Sequence, residues 1–240
     1  MATEKNMNKN GSNNIDWKVT LMGEMLLLGV LSKTIQSDPE RGWLQSLIDE
    51  DIFSESPLES NHQDFVAGLH LLQTWAQENK ESISDQRLID LKTDYIRLFV
   101  GLGKTIAAPW ESVYLNENRM IFQEQTLQVR EWYRRFGVES EKLYKEPDDH
   151  IGLELSFLAH LATLGLQALD ENDEVKFEQT LQAQRQFISE HPLKWAPRWC
   201  ELVEENSKTD FYRGLAKLIL GTLFSLAESL EVQKSDVKTP

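Results

Sequence analysis

A single cysteine, Cys200, stands in 240 residues, so no internal disulfide can hold the chain together and a reducing compartment suits it. Positive charge is also scarce. The 25 Lys and Arg residues are set against 39 Asp and Glu, leaving a net charge of −14. Such a surface repels nucleic acid and anionic membranes, and it favours partners that carry Lys or Arg. Long apolar runs are missing: the stretches near Met25–Leu31 and Leu215–Leu226 are broken by Gly, Lys or Ser and fall short of a membrane span. Residues 1–14 are rich in Lys, Asn, Ser and Gly and lack the apolar region of a signal peptide. These absences predict a soluble, cytoplasmic protein with no stable membrane insertion.

What the chain has is helical periodicity. Hydrophobic residues make up 40% of it, enough for a real core. Trp17, Leu21, Met25, Leu28 and Leu31 recur at three- and four-residue steps, as do Phe65, Leu69, Leu72 and Trp75. Ser84 reads as the N-cap of a helix running to Phe99. Residues 117–136 return to helical spacing through Ile121, Phe122, Leu127, Val129 and Trp132, with Gly137 as the C-cap. Ile151 to Leu169 is apolar on nearly all sides, the pattern of a central helix. No stretch alternates as a strand would. The expected fold is all-α, a bundle of about nine or ten helices. Residues 15–230 are read as one domain, with a disordered tail at 1–14 and a second tail at 231–240. Gly137–Lys145 is too short a break to divide it.

Few residues suggest catalysis. Gly101-Leu102-Gly103-Lys104-Thr105 has the end of a P-loop, but the full motif needs Gly where Leu98 stands, and a helix rather than a strand precedes it. A nucleotide-binding enzyme using Gly101–Thr105 remains the alternative reading, beside an all-α scaffold that binds no peptide. The five histidines form no H-x-x-x-H pair, and Cys200 has no sulfur partner. His150 and Glu154 resemble half of a carboxylate-bridged site whose other half is absent. No nucleophile is placed beside Asp149 and His150. No catalytic residue, metal or cofactor is therefore assigned.

Two stretches stand out instead. Glu146-Pro147-Asp148-Asp149-His150 crowds acids and a histidine where a charged loop meets the apolar segment, with Pro147 suited to the first helical position. It is either a capped helix start or an anionic cluster for a basic partner. Tyr95, Leu98, Phe99, Trp110 and Tyr114 put apolar and aromatic groups on a helix end and the loop after it. That loop either plugs the bundle or lines a groove for an apolar peptide, with Glu146, Asp148 and Asp149 at hand for arginines.

The blocks Tyr95-x-Arg97-Leu98-Phe99-Val100-Gly101, Pro109-Trp110-Glu111-Ser112-Val113-Tyr114 and Glu146-Pro147-Asp148-Asp149-His150 resemble, in order and spacing, the pattern of the TorD/DmsD family of cytoplasmic molybdoenzyme chaperones. Phe211-Tyr212-Arg213 fits the same pattern, whereas residues 1–90 match only in helical character. The resemblance implies a non-enzymatic chaperone. Its partner would be the twin-arginine signal peptide on the precursor of a molybdopterin-containing oxidoreductase subunit, held until cofactor insertion is complete and before Tat export. It also implies a leader site made of Tyr95, Leu98, Phe99, Pro109, Trp110, Tyr114, Glu146, Pro147, Asp149 and His150. Relatives in the family permit a monomer or a domain-swapped homodimer. Leu102 and Ala108 stand where DmsD-like sequences carry proline, which bears on the identity of the client.

Overall fold

The helices begin where side chains can take up their first free N–H groups. In a computed structural model that describes residues 15–54, 56–101, 105–139 and 146–232, α1 (Trp17–Ile35) starts under Asp16, whose carboxylate accepts from the Lys18 and Val19 amides at 3.2 Å. Ser84 caps α4 (Asp85–Tyr95) through the Arg87 amide, as its sequence position predicts. Between them lie α2 (Arg41–Asp49) and α3 (Gln63–Glu78). A four-residue α5 (Ser112–Leu115) and α6 (Glu124–Arg135) follow, and α6 is stopped by Gly137 at φ 75°. Then come α7 (Ile151–Asp170), α8 (Glu174–Glu190), α9 (Pro192–Asn206) and α10 (Asp210–Ser229). The described residues thus hold ten α-helices and no strand, only an isolated bridge between Trp110 and His150. The all-α expectation holds.

Two long pairings build the bundle. α3 lies along α10 at a distance only glycine permits: a Cβ on Gly221 would come within 2.1 Å of the Phe65 amide nitrogen. α1 lies along α7, with Ser32 Oγ donating to the Gly152 carbonyl at 2.8 Å. α8 packs on α7 and α9 on α10. One continuous core, including Leu28, Leu72, Leu158, Phe187, Trp199 and Leu223, runs through all of these helices. α7 is the one helix among the described residues long and apolar enough to cross a membrane, with a mean hydropathy of 1.3. Here its Ile151, Leu155, Leu158 and Leu161 are fully buried by its neighbours.

Several expectations are corrected. The helical spacing from residue 117 does not produce a helix before Glu124. Asn116 takes over that backbone: its amide donates to the Met120 carbonyl at 3.1 Å and its oxygen accepts from the Met120 amide at 3.3 Å. Such local side-chain bonds compete with the helical ladder, and Arg119 and Phe122 turn to φ 52° and 59°. The helix read from Ser84 to Phe99 ends at Tyr95, and Ile96–Val100 form a wider π turn closed by the Gly101 amide on the Ile96 carbonyl at 2.7 Å. Pro147 does not open α7. His150 is its N-cap and Nδ1 accepts from the Gly152 amide at 3.0 Å, leaving Pro147 upstream of the helix. Residues 1–14, 233–240 and Leu102–Lys104 of the P-loop-like stretch lie outside the described residues.

Candidate functional site

The helix end, the Pro-aromatic loop and the acidic turn, far apart in sequence, meet in space. The loop and the turn are stitched by backbone: the Ile151 amide donates to the Pro109 carbonyl at 2.8 Å and the Glu111 amide to the Asp149 carbonyl at 3.0 Å. The loop also returns to the helix end, where the Ala107 amide donates to the Leu98 carbonyl at 2.9 Å. Ala107, Ala108 and Pro109 are buried there, so this part of the loop folds onto the bundle.

The apolar members of the helix end serve the core. Leu98 is fully buried, and Phe99 meets Tyr95, Tyr212 and Trp199 at ring distances of 5.4, 5.5 and 6.0 Å. The π turn lets adjacent Leu98 and Phe99 both face inward. Just before them, Asp94 is a buried hub that sequence reasoning did not single out. Its Oδ2 accepts from Ser207 Oγ, the Lys208 and Thr209 amides and Thr209 Oγ1 at 2.8–2.9 Å, and Oδ1 accepts from Arg97 at 2.6 Å. Burial alone would raise its pKa, but these hydrogen bonds outweigh burial and hold the carboxyl below its usual range. Asp94 thereby fastens α4 to the start of α10.

The acidic turn is not a free anionic cluster. Asp148 and Asp149 are 1% and 0% exposed, and each is spent inside the protein. Asp149 accepts from the Ser112 amide at 2.8 Å and from Thr126 Oγ1 at 2.7 Å, joining α5 to α6. Asp148 pairs with Arg130 Nε at 2.6 Å, and its carbonyl accepts from the Tyr133 hydroxyl at 2.9 Å. His150, besides capping α7, sets its ring edge-on to Trp110 at 5.9 Å. Thr126, Arg130 and Tyr133 were missed in the sequence because nothing local marks a helix residue as the partner of an aspartate on a distant turn.

Glu146 and Trp110 are the partly exposed pair. The indole N–H of Trp110 donates to Glu146 Oε1 at 2.9 Å. Tyr95 lies close enough to feel the charge: burial first, then Glu146 and Asp38, push its hydroxyl up to about 12. Tyr114, also partly exposed, stacks on Trp195 at 5.3 Å.

Beneath the loop lies a buried polar layer. Glu111 Oε2 sits 2.9 Å from His191 Nδ1, and Trp195 Nε1 donates to Glu154 Oε2 at 3.2 Å. Burial, then the charges of Glu111 and Asp149, raise Glu154 well above the carboxylate range. The thiol of Cys200 is pushed up to about 12 by burial and by Glu204, which leaves it inert as a nucleophile. No group of three His, Cys, Asp or Glu side chains stands close enough to hold a metal among the described residues. Trp110 and Glu146 thus form a partly exposed pair at the rim of these buried groups, among which Ser112 Oγ, Asp148 Oδ1 and Glu154 Oε1 have no hydrogen-bond partner among the described residues.

Comparison with known proteins places the sequence among relatives. The sequence profile of the family described as "Nitrate reductase delta subunit" matches residues 59–201, which contain all three blocks. The chain is similar to the chaperone protein TorD of Aliivibrio fischeri, 32% identical over 55% of this chain and 60% of that protein. It is also similar to TorD of Vibrio cholerae, 30% identical over 74% of this chain and 84% of the relative. A solved redox enzyme maturation protein from Archaeoglobus fulgidus is 19% identical, with a TM-score of 0.46 over 93% of this chain and 99% of that one. With its loop, turn and helix end inside the matched region, the chain belongs to the TorD/DmsD family, a family of chaperones and not of enzymes.

Proposed function

We propose that this protein is a cytoplasmic chaperone that binds the twin-arginine leader of a molybdopterin-containing oxidoreductase precursor and holds it during maturation, before Tat export. The observation that carries this reading is the Trp110–Glu146 pair at the partly exposed rim of the joined blocks. Glu146 is bonded through one oxygen among the described residues, so its second oxygen can accept from a guanidinium. The Trp110 ring beside it offers a face for the same cation. A net charge of −14 draws the basic end of a leader from a distance. Asp149 and His150 act here as positioning residues. They hold the loop and α7 against each other, and Tyr95, Leu98, Phe99 and Pro109 support the rim from below.

Calorimetric titration of the full chain with a synthetic leader tests this. Glu146→Gln and Trp110→Ala each remove an interaction with a charged group, worth about 1.5 kcal/mol or more, and should weaken binding about tenfold. A leader with Lys-Lys in place of Arg-Arg should bind more weakly, because an ammonium lacks the two-pronged fit. Absence of binding by the unmodified chain, or equal affinities throughout, would overturn the proposal. Capture of precursor subunits from the native cytoplasm, followed by mass spectrometry, identifies the client.

A further inference from the structure

The rim accounts for the arginines of a leader and leaves its apolar stretch without a seat. Leu98 and Phe99 are buried in the core, at 0% and 3% exposure, and cannot supply one without unpacking. The surface next to the site does offer apolar groups. Met120, Ile121 and Phe122 are consecutive and 56%, 39% and 45% exposed, and Leu127 on α6 is 60% exposed. Phe122 and Leu127 occupy the two sequence positions of a hydrophobic staple around the N-cap Gln123, yet both stay open to water. Met120 and Ile121 have no such role. Phe122 holds φ 59°, a left-handed conformation that a bulky residue adopts only where the surroundings impose it.

This corner is tied to the acidic turn at both ends. Asn116 clamps Met120 and also donates to the Ser112 carbonyl, and the Ser112 amide is held by Asp149. At the far end, Thr126 donates to the other oxygen of the same carboxylate at 2.7 Å. Glu124 and Glu131 lie exposed on α6 one turn before and one turn after Leu127, while Arg119 stands exposed beside Met120.

We infer that Met120, Ile121, Phe122 and Leu127 form an apolar shelf that seats the hydrophobic stretch of the leader, with Glu124 and Glu131 attracting its flanking basic residues. The inference rests on the leader-binding reading and extends it to a surface outside the three blocks. Consecutive apolar groups with Glu124 and Glu131 on the adjoining helix match a segment that is apolar and flanked by cations. Asp149 then has a definite role. One buried carboxylate positions the rim, through Ser112, and the shelf, through Thr126.

The test compares two dye-labelled peptides by fluorescence anisotropy. One carries an Arg-Arg pair followed by about ten apolar residues, and the other ends after the Arg-Arg pair. The double variant Ile121→Ser with Phe122→Asn is chosen because Asn tolerates the left-handed backbone, so folding is preserved. It should bind the long peptide at least tenfold more weakly than the unmodified chain does and the short peptide equally well. Val19→Ser with Met22→Ser, on an exposed face of α1, should change neither. Equal binding of the long peptide by the unmodified chain and the Ile121/Phe122 variant overturns the shelf while leaving the leader site standing. Failure of the unmodified chain to bind either peptide removes both. Light scattering on the same samples covers the other occupant: a dimer lost in the variant with peptide affinity unchanged would assign the shelf to a second copy and overturn the inference.

Discussion

Glu24 provides the sharpest test of how the core is built. It lies on α1, fully buried, and its Oε2 accepts from Gln184 Nε2 on α8 at 3.3 Å. Glu24 Oε1 and Gln184 Oε1 have no hydrogen-bond partner among the described residues, so a charged carboxylate is poorly compensated there. Burial raises this carboxyl from 4.5 to about 7, and the bond from Gln184 offsets only part of that. The sign follows from the order of proton release. Between pH 4.5 and about 7 the unfolded chain has lost the proton while the folded chain still holds it, so stability falls as pH rises through that window. The loss amounts to about 3 kcal/mol once both states have ionised. Glu24→Gln keeps the shape and cannot ionise. Its stability relative to the unmodified protein should therefore climb by about 3 kcal/mol between pH 4 and pH 8. Urea unfolding followed by tryptophan fluorescence at a series of pH values measures this. Other buried acids, Glu154 among them, titrate in both proteins and cancel in the difference. A difference that does not change with pH would refute the argument.

The α3–α10 contact makes a second prediction. Gly221→Ala puts a methyl against the Phe65 backbone and should destabilise by about 2 kcal/mol or more in chemical denaturation, despite the better helix propensity of alanine. Gly29→Ala, with nothing within 4 Å of the added carbon, should instead stabilise by about 1 kcal/mol. Cys200, with its thiol near 12, has a thiolate fraction of about one in ten thousand at pH 8. It should resist a disulfide reagent in the native protein and react fully in denaturant.

Much of the fold was legible because its signals are local. Ser84 and Gly137 mark helix ends by their own chemistry, and the stripe Leu21, Leu28 and Leu31 is the buried face of α1. The site was legible as a set of blocks and illegible as a surface. A run such as Asp148-Asp149 looks anionic whether its oxygens meet water or Arg130 and Thr126, and those partners lie 18 and 23 residues away. The same limit explains Ile121 and Phe122. Their spacing fits a helix, but Asn116 diverts the backbone and turns both residues outward.

By itself, then, the sequence determined the helical class, the acidic charge and the residues that had to come together, since periodicity, composition and short motifs are properties of neighbours along the chain. Tertiary structure decided what those residues do. It buried Leu98, Phe99, Asp148 and Asp149, left Trp110 and Glu146 partly exposed, and opened the Met120–Phe122 corner to water. The physical reason is that a carboxylate or an aromatic ring takes its role from what packs against it, and here the partners come from helices distant in sequence.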